Sequence, residues 1–515
     1  MSYSGNLGSA LTNTRLRAPH AITHTSGMCA VCTTDCPGTC EIGFSAVRGP
    51  EATYPFSTDI YQFASEKKYP IDFSHFNING SVFGAIGIEA NSDLASYPNA
   101  NTDMAFGRHH KVPLKAPYIL PAMAKLNWHD YFAGAAMYGV LAVIGEDVVA
   151  KDPELKLHEG KVISSPLVEK MVKAFRDHDR GFGDIILQAN EDDERLGVLD
   201  YAIQTLGVKS VELKFGQAAK GIQGLGRIAK LEEAQRIKRL GYLVFPDPTD
   251  EDIIKNYHLG QCETFEKVGR LPMWDENTLQ KRINTLRSIG AERICFKVGP
   301  YTPSDLLRIM KIACANEIDL ITFDGASGGT GNSPVKMMNE WGVPTVVLLS
   351  TVRKLAEILE QKGMQLPEIA ITGGLSTEDH VYKALAMGAP YVRMVGLGRA
   401  AMAAANSGKW LGDAIERNEV PMMYSKYGDS VDTIFEQYPV IKRLYGERAA
   451  VISTGAIGVY SYLERISTGL KQFMALNRNF TLKEIDREDL YALTDEAEEA
   501  CGVHTYQTMM EIMSK

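Results

Sequence analysis

From about residue 115 the chain repeats one unit eight times: a short, continuous apolar run, usually followed by a stretch of helical periodicity. The runs are PYILPAM (117–123), YGVLAVIG (138–145), GDIILQAN (183–190), KSVELKFG (209–216), RICFKVG (293–299), IDLITFDG (318–325), PEIAITGG (367–374) and YVRMVGLG (391–398). Runs that stay apolar along their length, without alternating, suit parallel strands covered on both faces. Between them PLVEKMVKAFRDH, PSDLLRIMKIACANE and TEDHVYKALAMGA carry helical spacing, and Pro303-Ser304 opens one of them as helix starts often do. Eight such units predict an α/β chain closed into a (β/α)8 TIM barrel. An open doubly wound sheet would also alternate strand and helix. The glycines favour the barrel. They gather after runs six, seven and eight, in DGASGGTG, TGGLS and GLGRA, and barrels hold phosphate with the loops after strands seven and eight.

Three regions follow. Residues 1–110, rich in Pro, Gly, Asn, Thr and Ser, form an arm that carries a cysteine cluster. Residues 111–405 form the barrel, with an oversized fourth unit whose insertion, 217–292, begins glycine-rich and is expected to serve the active site. Residues 406–515 form a helical extension, with AIERNEVPMMYSKYG, GVYSYLERISTGLKQFMALN and REDLYALTDEAEEACG as its helices. With 45% hydrophobic and 23% charged residues and a net charge of −9, the composition is that of a soluble globular protein. No basic stripe offers a nucleic-acid footprint. The longest apolar run, YFAGAAMYGVLAVI (131–144), is short of a membrane span and is expected in the core. No secretory signal pattern opens the chain, so a cytoplasmic, reducing location is expected, where clustered cysteines point to metal before disulfides.

ITGGLS and VGLGRA place Gly373, Gly374, Gly396 and Gly398 at the starts of helices. There, free backbone N–H groups and the helix dipole hold an anion, and Arg399 adds a fixed, bidentate cation. A single monophosphate on such loops fits FMN. The plainer reading, glycines serving tight turns only, explains one such loop better than three in succession. Lys297, at the end of strand five among Cys295, Phe296 and Val298, is expected to point into the barrel mouth. There it would stabilise negative charge on a reduced ring. KFGQAAKGIQGLGR sets Lys214, Gln217, Lys220, Gln223 and Arg227 among small residues, which suits a carboxylate-bearing substrate or, equally, a solvated loop. Glu146, after strand two, reads as a proton carrier or amine-orienting group, or as a simple helix-start acid.

GQAAKGIQGLG, DGASGGTGNSP, TGGLSTEDHVYKALAMGA and GLGRAAMAA together resemble the FMN-binding synthase domain of glutamate synthase. They resemble especially its stand-alone relatives, which include the large subunit of methylamine–glutamate N-methyltransferase. The resemblance covers roughly residues 100–500. It implies FMN across the barrel mouth, its ring against Ala122, Met123, Gln188 and Lys297, and its phosphate on Gly328, Gly329, Gly373, Gly374, Gly398 and Arg399. It matches Gln217 and Lys220 to positions that hold a 2-oxo acid, and places Glu146 near an acidic position of that family. The departures carry weight too. The chain opens Met-Ser-Tyr where glutamate synthase opens its mature chain with a cysteine nucleophile, so ammonia from glutamine within this chain is not expected. The family's C-terminal helical solenoid and its C-x5-C-x4-C cluster cysteines have no counterpart, and Ala326-Ser327 stands where the family has His-Asp.

Four of the eight cysteines lie in MCAVCTTDCPGTCEIG, at Cys29, Cys32, Cys36 and Cys40. Thiolates at this spacing suit zinc or an iron–sulfur cluster. The C-x2-C run and the Cys36-Pro37 step resemble ferredoxin ligation, and the segment is similar to the cluster motif at the front of molybdopterin oxidoreductases. A flavin that handles single electrons needs a carrier, and the family's usual cluster cysteines are absent, so a [4Fe–4S] cluster is the favoured reading, with zinc as the alternative and free or disulfide-forming thiols as a third. The expected activity is that of an oxidoreductase of EC class 1.4. Ammonia and a 2-oxo acid would give a 2-imino acid, which hydride from FMN N5 reduces, while the cluster relays electrons from a ferredoxin-like donor or partner subunit. Amine transfer to a glutamate skeleton, giving an N-alkylglutamate, and an electron-transfer subunit without a substrate of its own are the alternatives. A homo-oligomer without nucleic-acid or membrane partners is expected.

Overall fold

The computed structural model describes residues 69–514, apart from 219–224, 262–263, 329–333, 335–336 and 338–339, together with the isolated positions 46, 47 and 49. Eight parallel strands form a closed barrel: β1 (Tyr118–Met123), β2 (Leu141–Ile144), β3 (Asp184–Ala189), β4 (Ser210–Lys214), β5 (Arg293–Val298), β6 (Leu320–Asp324), β7 (Glu368–Thr372) and β8 (Val392–Gly396). They pair in chain order and close β8 onto β1. Each apolar run read from the sequence is one of these strands. The 131–144 run is the buried end of helix Trp128–Tyr138 followed by β2, with Gly139 turning the chain between them at φ 91°. Among the described residues no helix is long and apolar enough to cross a membrane.

The strand period of two sorts each strand into outward and inward residues. Outward residues pack against the helices. Inward residues change character with height. At the closed end Arg293 lies 3.0 Å from Asp184 and donates to Ser210 at 2.7 Å. Above them Ile119, Leu141, Val143, Ile186, Cys295, Leu320, Ala370 and Met394 form an apolar plug, completed by Phe106 and Leu114. Those last two belong to the hairpin Met104–Phe106/Val112–Leu114, which stoppers the barrel from below. Arg293 donates to the carbonyl of His110 in its turn. At the open end the inward residues become polar: Gln188, Glu212, Lys214, Lys297, Thr322, Asp324 and Thr372.

The insertion builds its own antiparallel sheet, with Phe265–Val268 between Leu225–Ile228 and Leu243–Phe245. It is fastened to the barrel by cations. Arg236 donates to the carbonyls of Ala150 and Asp152, and Arg270 pairs with Asp192 on the helix after β3. Helix Arg399–Glu416 follows β8 and continues through residues 405 and 406. Helix Thr454–Leu476 lies against it and against Trp128–Tyr138. The contact is close because Gly408 faces Gly458: a Cβ added to Gly458 would sit 3.2 Å from Gly408 Cα. REDLYALTDEAEEACG is α-helical only in its second half, after a short 3-10 turn at Arg487–Asp489. Leu490–Ala492 is a strand paired with Phe76–Ile78, and helix Asp495–Cys501 follows. Leu490 and Ala492 are buried against the core, a period of two that overrides the local helical pattern.

Candidate functional site

The polar end of the barrel opens into a cavity of about 380 Å³, lined by residues from β1, from β3 to β8 and from the loops after them. This is the size of a small-molecule site. One end is built from backbone and glycine. Gly373 and Gly374 turn the chain out of β7 at φ 122° and 79°. Gly373 has no room for a side chain: a Cβ would lie 2.8 Å from both the Gly325 carbonyl and Thr345 Oγ1. A Cβ on Gly374 would lie 2.6 Å from that of Ser327. Gly328, Gly396 and Gly398 line the same end. Gly398 is the N-cap of helix Arg399–Glu416, and no side chain caps that terminus. Its first N–H groups are therefore open to an anion. Arg399, the first helical residue, reaches the cavity. Burial pushes its pKa down, and among the described residues no carboxylate pairs with it. A partly desolvated guanidinium without an anion is a binding site for one.

The opposite end is built from side chains. Gln188, Lys214, Gln217, Lys297 and Asp324 line it, and Pro121, Ala122 and Met123 of β1 form its apolar edge. Gln188 Nε2 donates to Glu212 Oε1 at 2.6 Å. Burial pushes the Glu212 carboxyl upward, against the opposing pull of Lys297. Gln188 Oε1, Glu212 Oε2, Gln217 Nε2 and Thr322 Oγ1 are buried without a hydrogen-bond partner among the described residues. So many orphan polar atoms at one mouth point to missing partners. Lys214 forms an ion pair with Glu146 and donates to Gln217 Oε1.

The structure thus gathers Ala122, Met123, Gln188, Gln217, Lys297, Gly328, Gly373, Gly374, Gly396, Gly398 and Arg399 around one cavity. Glu146 stands behind that lining, held by Lys214. Lys220, Gly329 and the four cysteines Cys29, Cys32, Cys36 and Cys40 lie outside the described residues. Among the described residues no group of His, Cys, Asp and Glu is arranged to hold a metal ion. Lys214, named from the sequence among the candidate carboxylate-binding residues, lines the cavity too, as do Ser327 and the two residues that the sequence did not single out, Asp324 and Thr372. The signal was present in the strand period: Lys214 and Asp324 are the last residues of β4 and β6, with the inward parity of Glu212 and Thr322.

Residues 271–409 match the family described as the conserved region in glutamate synthase. The glutamate synthase large subunit-like protein YerD of Bacillus subtilis (strain 168) is 31% identical over 115 residues, which is 22% of this chain and 21% of that protein. The alignment therefore spans about a fifth of that relative's length. Among solved structures, the flavin-binding domain of flavocytochrome b2 from baker's yeast is similar at 14% identity and a TM-score of 0.46, covering 85% of this chain and 81% of that one. A lactate oxidase from Pediococcus acidilactici is similar at 15% identity and a TM-score of 0.44, covering 80% and 82%. At that distance neither likeness carries chemistry from one chain to another.

Proposed function

We propose that this glutamate synthase-like chain is an FMN-dependent oxidoreductase that acts at the carbon–nitrogen bond of an amino acid or the corresponding 2-oxo acid, within EC class 1.4. The observation that carries the reading is a single cavity with two chemically distinct ends. Glycine backbone and Arg399, which pairs with no carboxylate among the described residues, form one; Gln188, Lys214, Gln217 and Lys297 form the other.

The residues fit the cofactor. A helix N-terminus that no side chain caps, two glycines that exclude a Cβ and a cation with no carboxylate partner among the described residues suit a terminal phosphate. Apolar Ala122 and Met123, beside the amide of Gln188 and the ammonium of Lys297, suit a flat heterocycle with polar edges. When bound, FMN would supply two-electron redox chemistry. Lys297 would hold negative charge at the edge of the ring, in a site where few waters dilute the field. Gln188, fixed by Glu212, would orient the same edge.

Lys214 and Gln217 would hold the substrate carboxylate, together with Lys220, three residues further along the sequence. Glu146, the partner of Lys214, would give up part of that contact to the substrate and could carry a proton to or from its nitrogen. The cysteines at 29, 32, 36 and 40 are read as the ligands of a [4Fe–4S] relay, on the softness of four thiolates, with a ferredoxin-like donor or partner subunit beyond it. A cytoplasmic homo-oligomer belongs to the same reading.

The test is direct. The chain purified without oxygen should be yellow and release FMN on denaturation. With a chemically reduced dye as electron source, it should convert 2-oxoglutarate and ammonia to an amino acid. A preparation that stays colourless after incubation with FMN overturns the reading. Turnover with methylamine in place of ammonia moves the product to an N-alkyl amino acid and leaves the cofactor assignment standing.

A further inference from the structure

The turn that carries Glu146 is held by a cation from outside the barrel strands. Lys267 lies on the middle strand of the inserted sheet, and its Nζ is 2.6 Å from Asp147 Oδ2. Asp147 follows Glu146 directly and sits at φ 62°, in the left-handed region that non-glycine residues seldom occupy. Each of its polar groups is engaged. Oδ1 accepts from Asn190 Nδ2 at 3.0 Å, and the N–H donates to Asp193 Oδ2 at 2.9 Å. The carbonyl accepts from Lys151 Nζ at 2.9 Å. Lys267 also lies 4.5 Å from the centre of the Tyr242 ring, another residue of the insertion. Asp147 thus faces the insertion while its neighbour Glu146 reaches Lys214 at the cavity.

We propose that Lys267 is a positioning residue: the insertion fixes the Asp147 turn and, through it, the Glu146–Lys214 pair that meets the substrate carboxylate. The physical reason is the cost of taking the contacting cation from a largely buried carboxylate. Without Lys267 the Asp147 carboxylate keeps most of its burial and loses the cation in contact with it, leaving Lys151, which is bonded to the Asp147 carbonyl, and this is less favourable than the intact pair. A strained turn persists only while its surroundings hold it. Released, it lets Glu146 move relative to Lys214, and small displacements of a positioning group are costly to binding and rate. The inference rests on the reading of this mouth as a carboxylate site.

The test uses the full chain loaded with FMN, with 2-oxoglutarate as the probe, followed by the change it induces in the flavin spectrum. Lys267→Met should leave FMN affinity within about twofold of the parent and weaken the probe by about ten- to a hundredfold. Lys267→Arg should restore most of the loss. The double variant Lys267→Met with Asp147→Asn should be no worse than the poorer single variant, because both act through one contact. Probe affinity unchanged in Lys267→Met, or single effects that multiply in the double variant, overturns the inference while the parent still binds FMN and probe. A parent chain that binds FMN but responds to no 2-oxo acid overturns the carboxylate reading, and this inference with it. Should Lys267→Met fail to fold, the Arg variant and the double variant carry the same comparison.

Discussion

Lys297 and Asp324, on adjacent barrel strands, hold Nζ and Oδ2 3.9 Å apart at the floor of the cavity, a distance that gives attraction without a hydrogen bond. Asp324 Oδ2 is already engaged, accepting from the backbone N–H of Ala218 at 3.1 Å. The carboxylate therefore anchors the loop after β4, while the ammonium donates to no described residue and stays available to a ligand. Lys297→Met keeps most of the volume and removes the charge. The two-electron potential of the bound flavin should fall by about 30 mV or more, the equivalent of about 1.4 kcal/mol, as read by dye-equilibrated reductive titration. A potential unchanged from the parent would remove Lys297 from the ring edge.

Arg399 and Gly373 should both act on cofactor retention. Arg399→Met leaves the helix N-terminus in place but removes a charge-assisted, bidentate contact to phosphate, so FMN should bind about ten- to a hundredfold more weakly. Riboflavin, which lacks the phosphate, should bind parent and variant alike. Gly373→Ala brings a methyl group to within 2.8 Å of the Gly325 carbonyl and Thr345 Oγ1 at a φ of 122°. It should lose FMN altogether and lower the melting temperature. Fluorescence titration with the two flavins separates these outcomes.

The barrel was legible because its strands are apolar on both faces and its phosphate-side loops are glycine-rich, and both signals are local. Lys297 stood out by its buried neighbours. Lys214 was a candidate that read equally well as part of a solvated loop, and Asp324 did not stand out, because a charged residue at the end of an apolar run looks like the start of a loop. Only the register, with Lys297 paired to Lys214 on one side and Thr322 on the other, places Lys214 in the mouth. The Lys267–Asp147 contact joins an insertion to a distant barrel loop, and no local pattern announces it. Leu490–Ala492 sits in an acid-rich stretch with helical spacing, and its pairing with Phe76–Ile78 is a purely tertiary fact. Lys220, Gly329 and the cysteine segment fall outside the described residues and keep the standing the sequence alone lends them.

That cysteine segment gives a prediction of its own. If Cys29, Cys32, Cys36 and Cys40 hold a cluster, anaerobic protein should contain about four iron and four sulfide per chain. Any one Cys→Ser change should remove most of both while FMN stays bound. One zinc per chain, without sulfide, would make the segment a structural clamp.

Phe106 is fully buried in the plug beneath the cavity, on a hairpin that the barrel strands do not otherwise include. Phe106→Ala should cost about 3–5 kcal/mol, seen as an earlier midpoint in urea. Its FMN affinity should hold, because the apolar layer separates the hairpin from the mouth.

Asp193 should set the stability profile on the alkaline side. Burial, and then the negative charge of Asp147, push its carboxyl up to about 8, from an ordinary 3.8. Lys267 and the backbone N–H groups of Asp147 and Asn190 pull the other way. Asp147 is held low, where Lys267 and Lys151 outweigh the effect of its burial. The signs are therefore opposite. A raised acid keeps its proton in the folded chain after the unfolded chain has released it, so its contribution is complete below about pH 4 and drains away as pH rises towards 8. A depressed acid contributes above its ordinary value and loses that contribution only in acid. Between pH 5 and 8 the pair should then lower the melting temperature as pH rises, with a slope of at most one proton. Asp193→Asn retains an oxygen to accept from the Asp147 N–H and has no proton to lose, so the difference in melting temperature between variant and parent should grow in the variant's favour across this range. A difference that is flat from pH 5 to 8 would mean that Asp193 is already ionised in the folded chain.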